Sequence, residues 1–546
     1  MTGATRVVVL GGGFGGVYAA LGLERLAVQG ARIHVSLVSR ENYFVFQPML
    51  AEVVAGDVGI LDTVSPLRQL LRHTEIFVRE IEGVDLDRQV VVLGAGLTPR
   101  LQELPFDHLV LALGNVTDFR GIPGFPEHAL PFKTLAHAVR IRNHVIHVLE
   151  QASVESDVEL RRAMLTFVVA GGGFSGSEVT AALNDFLLRA IHDYPSIPRD
   201  ELRVILVHSG ERVLERELTS GLAAYATSAL AEAGIEVVLS QRLVAASARS
   251  AVLSGGRRLD TYTLISTVPS SANPVVEQLG LPMLGGRVEC DATTRVRNRS
   301  SVWAIGDCSL IPTPDGKPCP PTAQHAIRQS RTAASNIAAC VRGAPLQRFA
   351  FTGLGKLSAL GHRRAVAELP GGLRLAGAPA WLAWRALYWS KLPGASRKIR
   401  VAVSWLADLV LPPHPVELNL IAGTGATQAH YEPGEAVFEQ GDIGDSLFMV
   451  LAGQLEVSQT NGGAEQVVSR LGPGQYFGEM ALLGRHPRTA TARAIAPLDL
   501  LVLPAADFLA LAANLSEFRA GFEETARTRA SADAARAAGS APSAPG

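Results

Sequence analysis

The chain has 546 residues, room for about three or four domains, and its 47% hydrophobic fraction is ordinary for a globular protein with a sizeable core. A net charge of −1 excludes bulk attraction to nucleic acid. The four cysteines (Cys290, Cys308, Cys319 and Cys340) show no C-x-x-C spacing, so neither structural disulfides nor a metal centre is expected. None lies before Cys290, which argues against a redox-disulfide flavoenzyme.

In chain order, the first strand is expected by Arg6, leaving no room for a signal peptide. The apolar run Val7 to Leu10 opens into Gly11-Gly12-Gly13-Phe14-Gly15-Gly16, followed by a helix-like stretch, Val17 to Leu26. This is G-x-G-x-x-G between a strand and a helix: Gly11 makes the turn, Gly13 admits a pyrophosphate, and Gly16 lets helix pack on strand. An anion is favoured there by the free N–H groups and dipole of the helix N-terminus. The apolar strand His108 to Leu113 closes the first unit at Gly114, and a Pro/Gly-rich link spans 121–126.

The pattern then recurs. Phe167 to Ala170 leads into Gly171, Gly173 and Gly176, with a helix-like stretch from Glu178 to Leu188 and strands at Leu202 to Val207 and Gly234 to Leu239. Two well-placed glycine loops predict two dinucleotides, a flavin and a nicotinamide exchanging a hydride. A third apolar strand, from Val302, ends in Gly306-Asp307.

No apolar run approaches the roughly 20 residues of a spanning helix. Four of the five tryptophans, Trp381, Trp384, Trp389 and Trp405, are interleaved with Arg385, Lys391, Arg397, Lys398 and Arg400. Trp381, Trp384 and Tyr388 are spaced for one helical face, and the apolar segment Ile399 to Leu411 is too short to span. The pattern predicts interfacial, non-spanning helices; the alternative is a helical pair packed on the body or on a second subunit. After Pro412-Pro413-His414-Pro415, residues 431–503 read as short strands broken by glycine turns, a small antiparallel β-roll. Residues 505–529 are expected to form one closing helix and 531–546 a disordered tail, with no DNA-reading element.

Residues 1 to about 415 resemble type II NADH:quinone oxidoreductases, the non-proton-pumping respiratory dehydrogenases. The matching pieces are Gly11 to Gly16, Asn42 to Leu50, Gly171 to Glu178, Trp303 to Asp307, and Pro320 to Ala326. The resemblance implies an α/β fold of two Rossmann-like domains, the FAD domain split by an inserted nicotinamide domain. It implies FAD contacts from Gly11, Gly13, Phe14, Gly15, Gly16, Ser39, Arg40, Gln47, Val84, Gly114, Asp307 and Ala323. NADH contacts are implied for Gly171, Gly173, Gly176, Glu178 and His208, with Glu178 and Gln324 as catalytic residues and Gln324 with Arg328 on the quinone side. Glu178 could instead be a first-turn acid complementing the helix dipole. Three positions depart from the family pattern. Ser39 stands where an acid is expected for the FAD ribose. His208 replaces the acid that would discriminate against the 2′-phosphate, so NADPH is allowed by chemistry beside NADH. Arg328, with Gln329 behind it, replaces a second glutamine.

Phe477-Gly478-Glu479-Met480-Ala481 with Pro487-Arg488-Thr489-Ala490 resembles the phosphate-binding cassette of cyclic-nucleotide-binding domains. Glu479 would accept from the ribose 2′-hydroxyl, Arg488 would meet the cyclic phosphate, and Gly478, Ala481 and Thr489 would complete the site. The expected domains are 1–125 with 275–345 (FAD), 126–274 (NAD(P)H), 346–414 (membrane and quinone side), 415–528 (cyclic nucleotide) and a tail, 529–546. The expected function is peripheral NAD(P)H:quinone oxidation at the cytoplasmic face of the membrane. The expected cofactors and partners are FAD, NADH, a quinone, cAMP or cGMP as effector, and a homodimeric partner. The alternative is a cyclic-nucleotide sensor on a flavoprotein body with weak turnover, or, within the same fold, a sulfide:quinone oxidoreductase, which needs redox cysteines near the flavin.

Overall fold

A computed structural model describes residues 3–408 apart from 98, 99, 120, 248 and 269, then 415–418, 427–509 apart from 432, 462, 463, 485, 486 and 506, and residues 522, 524, 527 and 531. The Pro412–His414 part of the proline joint and nearly all of the tail lie outside these residues, as does most of the expected closing helix. The chain forms two compact units, Met1–Val92 with Leu104–Leu418, and Leu93–Glu103 with Asn419–Gly546.

The first unit contains two five-stranded parallel sheets. One has the order Val302–Ala304, His108–Leu111, Thr5–Leu10, Ile33–Ser39, Glu75–Val78. The other runs Ala129–Pro131, Thr263–Ser266, Thr166–Ala170, Arg203–Val207, Glu236–Val238. Both are buried on two faces, which is why Val7 to Leu10 and Phe167 to Ala170 are continuous apolar runs rather than alternating ones. The late strand returns to the first sheet in register, with Trp303 beside Val110, so the second sheet is an insertion within the first. Trp303 is fully buried there.

Helix α1 (Phe14–Val28) leaves the first glycine turn, α2 (Phe174–Ala190) the second, and α3 (Ala323–Val341) packs on α1. A Cβ at Gly22 would stand 2.9 Å from that of Ala334, so the close approach of α1 and α3 depends on a missing side chain. Both glycine-loop helices begin earlier than the periodicity predicts, at Phe14 and Phe174, because the last loop glycines already have helical geometry. Glu178 therefore falls in the second turn of α2, not the first. The strand expected over 108–113 ends at Leu111, where the chain turns toward Gly114 and its φ of +66°.

Beyond α3, three antiparallel strands, Lys356–Ala359, Ala365–Glu368 and Arg374–Ala376, precede helices α4 (Ala378–Lys391) and α5 (Ala395–Asp408). The face carrying Trp384 and Tyr388 turns inward, a correction to its reading as an outward membrane face. Trp384 is buried and joins the core with Phe46, Leu357 and Trp405. Helical spacing groups residues on one face but does not say which side of the helix is wet. The Arg385 guanidinium lies between the rings of Trp381 and Trp405, at 4.1 and 4.7 Å, and the Trp405 indole donates to Glu52 at 3.1 Å. The outward row is instead Ile399, Val403 and Leu406, exposed by 64%, 59% and 65%, on the opposite side of α5 from the buried Val401. Among the described residues no helix is long and apolar enough to cross a membrane.

In the second unit two four-stranded antiparallel sheets form the roll. One has the order Thr427–Tyr431, Leu498–Pro504, Ser446–Ala452, Tyr476–Phe477; the other, Ala436–Phe438, Thr491–Ala494, Leu455–Asn461, Ala464–Leu471. Phe448, Leu455, Phe477, Ala492, Leu498 and Leu500 fill its interior.

Candidate functional site

The first glycine loop is built so that backbone alone faces a ligand. Gly11 has φ +109°, and a Cβ at Gly16 would stand 1.8 Å from the Gly11 carbonyl oxygen, so neither position accepts a side chain. Gly13, the N-cap of α1, opens into free space. Phe14 packs edge-on against Phe44 and Phe46, at 4.9 and 5.8 Å between centroids, which is why the Asn42–Leu50 stretch accompanies the loop. Ser39 ends its strand buried, and its hydroxyl occupies the space beside Gly12. Arg40 is exposed and lies 3.7 Å from Glu80. Gln47 is exposed on a short turn, while Val84 lies on the strand Ile81–Asp85.

Across the sheet, Gly306 (φ +73°) turns Asp307 out of the strand, half-buried. The Gly306 N–H donates to the Gln329 side-chain carbonyl at 2.8 Å. Lys133 stands 3.9 Å from Asp307 and donates to the Asn115 side chain. The cradle is glycine-lined, closed by aromatic packing and faced by one carboxylate, a donor and acceptor set that fits the pyrophosphate and polyol of FAD. Lys133 and Gln329 are not evident as site residues from spacing. Only Gln329, directly behind Arg328, gives any signal.

The second loop repeats the geometry, with Gly171 at φ +108° and a Cβ at Gly176 placed 1.7 Å from the Gly171 oxygen. The Gly172 N–H donates to His208 Nδ1 at 3.1 Å, so His208 touches the loop itself. The Glu217 carboxylate faces Gly173, and burial raises its proton affinity above the ordinary range.

The two residues expected to be catalytic, Glu178 and Gln324, lie on different helices yet meet the same short segment. The Gln324 amide donates to the Gly355 carbonyl at 3.1 Å and accepts from the Leu354 N–H at 2.8 Å. Four residues on, the Ala359 N–H donates to the Glu178 carboxyl at 3.3 Å. Glu178 is half-buried, with protein on nearly all sides, and this desolvation pushes its carboxyl up to about 8 against weaker pulls from Ala359, Ser358 and Trp384. It is therefore neutral at pH 7. The buried Tyr388 hydroxyl is pushed far up by its own desolvation and by Glu178. Its ring meets those of Trp384 and Phe46 at 4.7 and 6.0 Å. Arg328 points elsewhere, over the Phe351 ring at 5.4 Å. Ala323 opens α3 beside these groups.

All four cysteines are free, and three are buried. Burial pushes the Cys308 thiol up to about 11, so it offers no nucleophile at neutral pH. Among the described residues no group of His, Cys, Asp and Glu could hold a metal.

In the roll, Arg488 is buried and donates to the carbonyls of Gly478 and Ser446 at 2.7 and 2.8 Å. Its guanidinium lies over Phe438 at 4.2 Å, and its Nε has no partner among the described residues. Gly478 has φ +92°, and a Cβ there would meet Arg488 at 2.6 Å. Glu479 and Ala481 are buried at the start of the next helical turn, while Thr489 is exposed. The orphaned Nε beside a glycine-lined backbone fits an oxyanion.

The profile of the pyridine nucleotide-disulphide oxidoreductase family matches residues 5–330, and that of the cyclic nucleotide-binding domain matches 428–514. A demethylphylloquinone reductase of Synechocystis is 30% identical over 409 residues, 73% of this chain and 95% of its own length. A type II NADH:quinone oxidoreductase of Mycobacterium tuberculosis is 28% identical over 425 residues, 74% of this chain and 87% of its own. The structure of NDH2 from Plasmodium falciparum in complex with NADH superposes with a TM-score of 0.70 at 18% identity, covering 76% of this chain and all of that one.

Glu178 gives a stability test with a defined sign. Its proton is retained by the folded chain up to about 8 but lost by the unfolded chain near the ordinary carboxyl range. The native state then binds more protons between these values, so this group costs stability as pH rises from about 4.5 to 8. Glu178→Gln should raise the melting temperature relative to the parent at pH 8 and change it little at pH 4.5; an equal effect at both would contradict the burial account.

With a flavin cradle, a second dinucleotide loop and a cyclic-nucleotide cassette in place, the chain belongs to the pyridine nucleotide-disulphide oxidoreductase family, in its type II NADH:quinone oxidoreductase branch, and carries a cyclic nucleotide-binding domain.

Proposed function

We propose that the protein is a peripheral NAD(P)H:quinone oxidoreductase whose turnover responds to a cyclic nucleotide. The observation that carries the reading is the meeting of Glu178 and Gln324 on the 354–359 segment, between the nicotinamide loop and the aromatic residues of α4. FAD, when bound, would supply the two-electron chemistry that links the nicotinamide to the quinone. The backbone of Gly11 to Gly16 and the Asp307 carboxylate hold it, while Lys133 orients Asp307. Gly171 to Gly176 hold the dinucleotide pyrophosphate. Gln324 fixes the segment that Glu178 leans on. Glu178, protonated at neutral pH, has a proton to give as the quinone becomes a quinol, and Trp384 and Tyr388 keep water from it. The domain limits expected from the sequence, with 346–414 on the quinone side, suit this division of labour.

The same reading places α5 at a bilayer surface, the cytoplasmic one. Ile399, Val403 and Leu406 form an apolar row, flanked by Lys398 and Arg400, that would lie in the headgroup region. Replacing the three with serine should release the protein from anionic liposomes and cut long-chain quinone reduction at least several-fold. Turnover with a water-soluble quinone should fall much less. Unchanged co-sedimentation with the vesicles would show that this row faces something other than lipid.

For the roll, Arg488 and the Gly478 backbone would hold the cyclic phosphate, with Glu479 toward the ribose. The loss of a buried charge partner costs several kcal/mol, so Arg488→Ala should weaken cAMP or cGMP binding at least about a hundredfold. Arg488 also ties Gly478 to Ser446, so Arg488→Lys serves as a control that keeps a cation. Calorimetry on the full chain reads both. Binding to neither nucleotide by the parent protein would remove the effector from the proposal. An effector that binds one arrangement better shifts turnover only by that difference.

A further inference from the structure

The two glycine loops offer a comparison within one molecule. Their middle glycines, Gly13 and Gly173, share nearly the same backbone, φ −84° with ψ −168° in one and φ −79° with ψ −172° in the other. Each leaves out a side chain that would stand between the backbone and a pyrophosphate. The direction a Cβ would take from each glycine therefore marks the space left for that group. At Gly13 this space is open, with nothing within 4 Å of a Cβ. At Gly173 the Glu217 carboxylate stands in it. Its Oε1 lies 3.2 Å from a Cβ, and no other described atom comes within 4 Å.

Glu217 is held there by its backbone. The loop that carries it folds onto the glycine turn, with the Leu214 N–H donating to the Gly172 carbonyl at 2.8 Å. Leu214 is fully buried at φ +58°, a left-handed conformation that a bulky residue rarely adopts. The Glu217 N–H donates back to the Leu214 carbonyl at 3.2 Å, and the Glu217 carbonyl accepts from Lys356. Arg216 and Lys356 are the cations beside the carboxylate, and both favour its charged form. Burial opposes them and prevails, so the negative charge is poorly solvated where it stands.

We infer that Glu217 opposes the dinucleotide: its carboxylate occupies the pyrophosphate position of the second loop in the free protein and swings away from Gly173 when the dinucleotide enters. The inference rests on the reading of Gly171 to Gly176 as the nicotinamide-dinucleotide loop. A carboxylate and a pyrophosphate sharing that space would place like charges in contact in a partly desolvated site, where their repulsion is weakly screened. Displacing the side chain uses part of the binding energy of the dinucleotide, so Glu217 sets the KM for NADH higher than the bare loop would.

ADP-ribose carries the pyrophosphate without the nicotinamide, and adenosine carries no phosphate. Calorimetry on the full-length, flavin-loaded protein measures both. Glu217→Gln keeps the shape of the side chain and removes its charge. At low salt and alkaline pH it should tighten ADP-ribose binding at least about fivefold, with the gain narrowing as ionic strength rises. Glu217→Ala, which also clears the space, should do the same, and the KM for NADH should fall in both. Adenosine should bind the parent and the variants alike. ADP-ribose binding to Glu217→Gln that is unchanged or weaker overturns the inference, the weaker result showing that Glu217 holds the ligand. An equal gain for adenosine also overturns it. A parent that binds no ADP-ribose and whose flavin NADH does not reduce would overturn the nicotinamide reading of the loop and this inference with it; ADP-ribose binding by the parent keeps the two failures apart.

Discussion

A single strand, Lys356–Ala359, is the constraint on which the site depends. Its entry is fixed by the Gln324 side chain, which both donates to and accepts from the backbone of residues 354 and 355. Its exit supplies an N–H, that of Ala359, which reaches Glu178. Between them, Lys356 donates to the Glu217 carbonyl, beside the second glycine loop. Helices α3 and α2 are thus registered by the segment 354–359, on which α4 also packs. Gly355 enters the strand at φ +99°, with the Glu368 carbonyl 2.4 Å from where a Cβ would stand, so even the turn that starts the strand tolerates no side chain.

Burial at this junction sets the chemistry. Among the described residues Glu178 accepts one backbone hydrogen bond, of 3.3 Å, too little to offset desolvation, so it stays protonated where an exposed glutamate would not. Desolvation and the adjacent Glu178 push the Tyr388 hydroxyl up in the same direction. The packing that keeps water from this junction also loads its acid with a proton.

The dinucleotide loops were legible because their physics is local: a buried strand, a left-handed glycine and a helix start are written in consecutive residues. Asp307 was legible for the same reason, since an apolar strand closing in Gly-Asp carries its own turn. What spacing could not show was contact between distant segments. Nothing within Lys133 or Ser358 marks them as neighbours of Asp307 or Glu178; the folding of two sheets brings them there. The tryptophans of α4 and α5 illustrate a second limit. Periodicity placed Trp384 and Tyr388 on one face, but the carboxyl they cover sits on a helix two hundred residues earlier, and only the packing shows that the face is dry. In the roll, Gly478, Glu479 and Arg488 were evident from a compact motif, whereas the stacking of Arg488 on Phe438 joins residues fifty positions apart.

The proposed function turns on electrons passing from a nicotinamide dinucleotide through FAD to a quinone. Anaerobic stopped-flow with sequential mixing measures this directly, following the flavin absorbance first after NADH and then after a quinone. The account predicts bleaching on the first mixing and full recovery of the oxidised spectrum on the second, with the recovery slowed at least about tenfold in Glu178→Gln. A flavin that NADH does not bleach, or a reduced flavin that quinone does not reoxidise, would contradict it.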